Sequence, residues 1–169
     1  MLFRSAKAQL AEASAPPIRP VKLGKGVRQT TTGGETVLYR HEKTFFNPTV
    51  LAATVSSDID AAALDNKLKI YNAFQYERVG LNLRPELLAV KDAGNGAAAF
   101  AEVAGKIAKE SEFNLILMTE DVDVMKAGVE ASGFKRPLLY AATAANADAM
   151  GALAKDNDLP LAVKAESVD

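Results

Sequence analysis

The chain has 169 residues, enough for one domain of ordinary size, and 49% of them are apolar. Because 31 residues are alanine and only 7% are aromatic, we expect a core built from small side chains. A net charge of −1 excludes a broad nucleic-acid-binding surface, and no apolar run approaches the roughly 20 residues of a membrane span. Without cysteine there are no disulfides or thiolate metal sites, and a single histidine excludes a multi-histidine zinc site. These features predict a soluble, cytoplasmic protein.

Residues 1–20 predict a short helix followed by a proline-rich linker. Residues 15–20 read APPIRP, a stiff segment that cannot be helical. Such a linker normally has a folded part on either side, yet only about fourteen residues precede it. We therefore expect that the chain lacks the beginning of a longer protein. The charge is also uneven, since residues 1–43 carry eight Lys/Arg against three Asp/Glu and residues 44–169 carry twelve against eighteen.

Residues 21–48 predict a β-ribbon that leads into the main fold. Residues 21–23 form a short alternating run, and residues 30–32 and 36–39 flank Gly33-Gly34, a pair suited to a tight hairpin turn. A charged turn at 40–43 and the apolar pair Phe45-Phe46 follow.

Residues 49–169 predict alternating strands and helices of an α/β protein. The strands are short and apolar on both faces, which is typical of a parallel sheet covered by helices. Ser57 or Asp58 is expected to cap the first helix. The predicted strands are 50–55, 87–90, 113–118, 137–142 and 161–163, and the predicted helices are one that ends near Phe74, then 97–109, 122–131 and 147–155.

Two folds begin with this pattern, the doubly wound open sheet and the eight-stranded βα barrel. Five strands can complete an open sheet. A barrel needs about 250 residues, so this chain could hold only the N-terminal part of one. The pattern alone leaves both folds open.

A glycine motif suggests one alternative function. Residues 94–99, which begin Gly94-Asn95-Gly96, match G-x-G-x-x-A between a strand and a helix, and Glu120 closes the next strand where a ribose-binding acid would lie. This pattern allows a small dinucleotide-binding α/β protein. Two features argue against dinucleotide binding. The carboxylate of Asp92 would repel a phosphate, and the strand that precedes the glycine motif is the second of the sheet rather than the first. Otherwise the glycines form a turn that caps a helix.

The other polar candidates also have two interpretations. His41, beside Glu42, could be a general base or a hydrogen-bonded structural residue. Polar residues that follow the strands would meet at the catalytic end of a barrel, but they are also the residue types that cap helices. Without a nucleophile–base pair or a metal cluster, we assign no catalytic, cofactor-binding or metal-binding residue. The strand-end residues are Ser56, Ser57, Asp58, Lys91, Asp92, Thr119, Glu120, Asp121, Thr143, Asn146, Lys164 and Glu166.

Residues 34–49, GETVLYRHEKTFFNPT, resemble the signature of the large (γ) subunit of the corrinoid/iron–sulfur protein of the acetyl-CoA decarbonylase/synthase (CO dehydrogenase/acetyl-CoA synthase) system. The resemblance extends over nearly the whole chain from about Ala6, with supporting stretches at 15–19, 78–80, 114–118 and 137–143 and at Asn146. It implies that residues 49–169 are the first part of a TIM (βα) barrel, with about five parallel strands in sequential neighbour order.

The resemblance also implies a function for the whole protein. That family joins a [4Fe–4S] domain, a barrel and a corrinoid domain, and it passes methyl groups from a methyl-pterin to acetyl-CoA synthase in one-carbon metabolism and carbon fixation. Its partners are a small subunit, with which it forms a heterodimer, a methyltransferase and acetyl-CoA synthase. Because this chain has no cysteine and ends after the fifth predicted strand, we expect an inactive scaffold fragment that binds neither the cobamide nor the cluster.

Overall fold

The computed structural model describes residues 6, 9–10, 20–25, 29–33, 47, 49–133 and 135–167. The chain divides into two compact units, the first Met1–Val21 with Thr31–Thr49 and the second Lys22–Thr30 with Val50–Asp169. In the first unit, Asn47 Nδ2 donates to the backbone oxygen of Gly33 over 2.5 Å. Most of the predicted first helix and linker, the strand at 36–39, His41 and the Phe45-Phe46 pair lie outside the described residues.

The structure gives the bounds of nine strands and four helices, and the described residues Ala6, Gln9 and Leu10 are also helical. The strands are β1 (Val21–Leu23), β2 (Thr30–Thr32), β3 (Ala52–Ser56), β4 (Tyr76–Arg78), β5 (Leu81–Leu83), β6 (Leu87–Lys91), β7 (Asn114–Met118), β8 (Leu138–Ala142) and β9 (Leu161–Val163). The helices are α1 (Ala61–Ala73), α2 (Ala97–Glu110), α3 (Val122–Ser132) and α4 (Ala147–Asp156). None of these helices is long and apolar enough to cross a membrane.

Five strands form one parallel sheet in the order β3-β6-β7-β8-β9. Each new strand is added on the same side of the one before it, as in a βα barrel. A doubly wound sheet would instead place one strand on the far side of the first. The prediction of a partial barrel with sequential parallel strands is therefore confirmed. β1 and β2 pair in a separate two-stranded sheet.

The core lies between the sheet and the helices. Alternate residues of the strands face the helices, because successive side chains of a strand point to opposite faces. Ile116 and Met118, which alternate with the core residues of β7, are only half-buried. The core residues without solvent exposure include Val55, Leu88, Val90, Leu115, Leu117 and Leu139 from the strands and Phe100, Ile107, Met125 and Met150 from the helices.

The first helix begins later than the sequence suggests. Residues 57 and 58 form a turn, and Asp60 caps α1 because its Oδ2 accepts hydrogen bonds from the amides of Ala62 and Ala63, at 3.0 and 3.4 Å. The prediction that Ser57 or Asp58 caps this helix is therefore wrong. Ser57 does not cap the helix because its hydroxyl donates a hydrogen bond to Asn95 in the next loop instead.

Residues 22–25 and 29–30 pack against the amino ends of the strands. The amide of Gly24 donates to the backbone oxygen of Arg136 over 3.0 Å. Thr30 Oγ1 donates to Glu86 Oε2 over 3.1 Å and accepts from Asn114 Nδ2 over 3.0 Å. Since Glu86, Asn114 and Arg136 lie at the amino ends of β6, β7 and β8, one short segment connects three successive strands.

A hairpin that the sequence analysis missed separates α1 from β6. β4 pairs with β5 in antiparallel register, with Tyr76 opposite Leu83 and Arg78 opposite Leu81. Its two-residue turn is Val79-Gly80, with φ values of 51° and 75°. Positive φ at both central positions is typical of a type I′ turn, which normally carries Asn-Gly or Asp-Gly. A β-branched valine there gives no turn signal in the sequence.

Candidate carboxyl-edge site

The carboxyl ends of β3, β6, β7, β8 and β9 lie along one edge of the sheet, because all five strands are parallel. In βα barrels this edge carries the functional residues. The loops that follow the strands therefore form the candidate site. We call these loops, at residues 57–60, 92–96, 119–121, 143–146 and 164–166, the carboxyl edge.

The first two loops are joined through Ser57, whose side chain is buried. Its hydroxyl donates to Asn95 Oδ1 over 2.6 Å and accepts from the amide of Ala93 over 3.0 Å. Asn95 Nδ2 in turn donates to the backbone oxygen of Ser57 over 3.0 Å. The hydrogen-bonding groups of these two side chains are thus directed at each other's loops rather than at a ligand.

The second and third loops are joined through Asp92 and Thr119. Asp92 Oδ2 accepts from Thr119 Oγ1 over 2.9 Å, and Asp92 Oδ1 accepts from the amide of Gly94 over 2.8 Å. Thr119 Oγ1 also accepts from the amide of Asp121 over 3.2 Å. Both oxygens of the Asp92 carboxylate therefore have partners within the protein.

Glu120 connects the third loop to the last two. Its backbone oxygen accepts from Asn146 Nδ2 over 2.7 Å, and its Oε1 lies 2.8 Å from Lys164 Nζ. The hydrogen bond from Lys164 to Glu120, together with the Glu120 charge, raises the pKa of Lys164. Because both side chains are more than half exposed, this ion pair adds little stability. Asn146 also accepts from the amide of Thr143 over 2.6 Å.

A shallow open cleft of about 270 Å³ lies beside these loops. It is smaller than the roughly 300–1,000 Å³ of pockets that enclose a drug-sized ligand. Among the residues of this cleft, the Lys91 side chain makes no ion pair or hydrogen bond within the described part of the chain. The cleft is lined by Lys91, Asp92, Met118, Thr119, Glu120, Tyr140 and Ala141.

The arrangement supplies hydrogen bonds between loops rather than reactive groups. In residues 49–133 and 135–167 the carboxyl edge contains no cysteine or histidine, and no hydroxyl is paired with an imidazole base. No group of three His, Cys, Asp or Glu residues in the described ranges could hold a metal ion. This is the bonding pattern of a rigid edge that fixes successive loops.

The glycine motif is explained by local backbone geometry. Gly94 and Gly96 have φ values of 79° and 92°, a region that favours glycine. The Gly94 amide, which a bound pyrophosphate would need, donates to Asp92, and Asn95 is bonded to Ser57. Gly96 is the N-cap of α2. We therefore assign these glycines to a turn and helix cap, and no observation favours a dinucleotide.

The structure brings most of the predicted strand-end residues together. Ser57, Asp92, Thr119, Glu120, Asn146 and Lys164 are bonded across loops, and Asp121 caps α3. Asp58 and Glu166 are exposed, and His41 lies outside the described residues. The sequence analysis missed Asn95, read only as part of a turn, and Tyr140, read as a strand residue. Because side chains alternate along β8, the sequence could have indicated that Tyr140 lies on the opposite face from the buried Leu139.

Comparisons with known proteins show which protein family the sequence matches. The sequence model of the CO dehydrogenase/acetyl-CoA synthase delta subunit matches residues 20–169. The corrinoid/iron–sulfur protein large subunit of Moorella thermoacetica is 39% identical over 159 residues, which cover 94% of this chain and 36% of that protein.

Two archaeal relatives are similar to nearly the same extent. Acetyl-CoA decarbonylase/synthase complex subunit gamma 2 of Methanosarcina mazei is 37% identical over 163 residues, covering 96% of this chain and 35% of that protein. The gamma subunit of Methanopyrus kandleri is 36% identical over 162 residues, covering 95% and 35%. The chain thus spans about a third of the length of the curated relatives it matches.

Proposed function

Because the chain belongs to the CO dehydrogenase/acetyl-CoA synthase delta subunit family, we propose that it forms barrel scaffold in a corrinoid/iron–sulfur methyl-carrier subunit. In this proposal the whole cytoplasmic protein passes methyl groups from a methyl-pterin to acetyl-CoA synthase. It works with a small subunit and a methyltransferase. In this proposal, the residues of this chain act as a support that holds in position the parts of the whole protein that transfer the methyl group.

The observation that carries the proposal is the bonding of the carboxyl edge. Hydrogen bonds of Ser57, Asp92 and Asn146 join each of the first four loops to the next, and Lys164 of the fifth loop bonds to Glu120 of the third. Side chains held by such bonds keep the loops in one arrangement, which suits a rigid support. They leave few polar groups for a substrate.

The residues of this chain do not fit the two groups that the family name implies. An iron–sulfur cluster is held mainly by cysteine thiolates, and the chain has no cysteine. A corrinoid is larger than a drug-sized ligand, whereas the carboxyl-edge cleft measures about 270 Å³. We therefore expect that no residue of this chain takes part in a step of the methyl transfer and that the chain binds neither group.

The proposal is tested by variants of the carboxyl edge in the full-length protein. Ser57→Ala removes a buried hydroxyl that joins two loops and should destabilise the protein by about 1–3 kcal/mol. Ser56→Ala, one residue earlier and without a side-chain hydrogen bond in the described chain, is the matched control. Chemical unfolding measures both effects.

The same variants distinguish a scaffold from a catalytic edge. The rate of methyl transfer is measured from the absorbance of the corrinoid, at a temperature where all variants are folded. The rates of Ser57→Ala and Lys91→Met should lie within twofold of the wild-type rate. A loss of a hundredfold or more in a folded variant would place chemistry at this edge and overturn the proposal. So would stoichiometric retention of cobalamin by residues 1–169 alone through gel filtration.

A further inference from the structure

The loop that follows β6 contains the single asparagine–glycine pair of the sequence, Asn95-Gly96. In such a pair the backbone nitrogen of the glycine can attack the side-chain amide of the asparagine, because glycine has no side chain that shields its nitrogen. The attack forms a succinimide ring and releases the side-chain amide, a reaction called deamidation. How readily it proceeds depends on whether the structure leaves the nitrogen accessible and the side chain free to turn.

The attacking nitrogen is accessible. Asn95 and Gly96 are both exposed, and the Gly96 amide makes no hydrogen bond within the described residues. A Cβ on Gly96 would meet no atom within 4 Å, so the space around this residue is open. The first hydrogen bond of α2 uses the oxygen of Gly96, which accepts from the amide of Phe100 over 3.2 Å. Water and hydroxide can therefore reach the Gly96 nitrogen.

The side chain under attack is held by Ser57. Asn95 Oδ1 accepts from the Ser57 hydroxyl over 2.6 Å, and Asn95 Nδ2 donates to the backbone oxygen of Ser57 over 3.0 Å. Ser57 is itself buried, and its hydroxyl also accepts from the amide of Ala93. Because both polar atoms of the Asn95 amide are bonded, the amide cannot turn toward the Gly96 nitrogen without breaking these contacts. The contact with Ser57 therefore opposes the reaction.

We propose that Asn95 is a deamidation site that Ser57 protects, so that separation of the first two loops of the carboxyl edge starts the reaction. The Gly96 nitrogen gives its proton to hydroxide and bonds to Asn95 Cγ. The Cγ–Nδ2 bond then breaks, and Nδ2 takes up a proton and leaves as ammonia. Water opens the ring at either of its two carbonyl groups, which gives aspartate or isoaspartate at position 95.

Neither product can restore the contact with Ser57. An aspartate has an oxygen in place of Nδ2, and this oxygen cannot donate to the backbone oxygen of Ser57. The two oxygens would instead repel each other. An isoaspartate inserts its β-carbon into the backbone directly before Gly96, the N-cap of α2. Deamidation is therefore an irreversible change that separates the loop after β3 from the loop after β6.

The test follows deamidation of Asn95 in the full-length protein by peptide mass spectrometry during incubation in mildly alkaline solution. Ser57→Ala should react about fivefold faster than the wild type, because one hydrogen bond to the amide is lost, and should yield both aspartate and isoaspartate. A synthetic peptide of residues 91–99, which lacks Ser57 altogether, should react at least twentyfold faster than the folded wild type.

Two serine variants are the controls. Ser56→Ala lies beside Ser57 and should leave the rate within twofold of the wild type. Ser132→Ala also removes a buried hydroxyl, which donates to the backbone oxygen of Val129 over 2.8 Å at the far end of α3. Its rate should likewise stay within twofold. Equal acceleration by Ser132→Ala and Ser57→Ala would mean that general unfolding controls the reaction, and the inference would be wrong.

Three further outcomes would overturn the inference. Equal rates in the peptide and the folded wild type would mean that the fold does not protect Asn95, a comparison that needs no variant to fold. A slower reaction in Ser57→Ala would mean that the Ser57 hydroxyl activates the amide instead of holding it. Aspartate without isoaspartate would exclude the succinimide ring. None of these rates involves methyl transfer, so the proposed function is tested separately.

Discussion

Gly24 is the residue where close packing most directly requires glycine. Its φ is 77°, and a Cβ placed there would lie 1.9 Å from Asn114 Oδ1. Gly24→Ala must therefore adopt a disfavoured backbone conformation and displace Asn114, which itself bonds Thr30. We expect a loss of about 2 kcal/mol or more in the free energy of unfolding, measured by urea denaturation.

Gly151 is the matched control for this substitution. It lies within α4, and a Cβ there would meet no atom within 4 Å. Gly151→Ala should stabilise the protein by about 0.5–1 kcal/mol, because alanine loses less conformational freedom than glycine in a helix. Equal effects of the two substitutions would mean that the contact of Gly24 with Asn114 does not hold the amino ends of the strands together.

The Lys164–Glu120 pair predicts a pH dependence at high pH. The pKa of Lys164 is raised above its ordinary value of 10.5, so the folded protein keeps a proton that the unfolded chain releases. The stabilisation is therefore complete below pH 10.5 and is lost as the pH rises through the raised pKa. Side-chain NMR titration should show the Lys164 pKa falling in Glu120→Gln. Asp65→Asn, which removes the partner of Lys106, should leave it unchanged.

At the scale of elements, α2 and α3 approach closely at one glycine. A Cβ on Gly128 would lie 2.5 Å from Phe100 Cε1 and 3.3 Å from Leu117 Cδ1, and Phe100 is fully buried. Gly128→Ala should overpack this contact and cost about 1–3 kcal/mol of unfolding free energy by thermal or chemical unfolding.

Gly105 on the facing helix provides the comparison. A Cβ there would meet Ala131 at 3.5 Å, an ordinary contact, and alanine favours the helix. Gly105→Ala should therefore be neutral or stabilising. If Gly128→Ala were equally well tolerated, the two helices would have to be farther apart than these distances indicate.

The elements that the sequence predicted are those with a strong local signal. The five parallel strands are continuous apolar runs, and α2, α3 and α4 begin within a residue of their predicted starts. The β4–β5 hairpin was missed because its strands have three residues each and its turn begins with Val79, a residue that disfavours positive φ. The cap of α1 was misplaced because Ser57, Asp58 and Asp60 are all suitable cap residues.

The candidate site could be predicted only in part. That strand-end side chains meet at one edge follows from parallel strands. Which loops bond depends on strand register, such as Ser56 opposite Lys91 and Lys91 opposite Met118. A single sequence does not contain that register. The hydrogen-bonded pairs Ser57–Asn95 and Asp92–Thr119 therefore could not be predicted from the sequence.

At the scale of the whole molecule, the family and the fold were both accessible from the sequence. The resemblance of residues 34–49 to the corrinoid/iron–sulfur protein large subunit is confirmed by the family match over residues 20–169, although those residues lie mostly outside the described part. The resemblance also decided between two folds that the pattern left open. The resemblance favoured the βα barrel, and the sequential order of the strands in the structure agrees with that fold.

Strand order also predicts a gradient of hydrogen exchange across the sheet. β6, β7 and β8 have neighbours on both sides, and Leu88, Leu115 and Leu139 are fully buried. β3 and β9 are the outer strands of this sheet, and Ala52, Thr54 and Val163 on them are exposed. Amide exchange of residues 1–169 at low protein concentration should therefore be slowest in β7 and at least a hundredfold faster in β3 and β9.

Two outcomes of this measurement would contradict the expected gradient. Protection of β3 equal to that of β7 would be the signature of a doubly wound sheet, in which the first strand is central. Protection of both outer strands that rises with protein concentration would mean that copies of the chain pair along these edges, as exposed strand edges tend to do. Fast exchange confined to β3 and β9 at every concentration agrees with a sequential, barrel-like sheet whose first and last described strands form its boundaries.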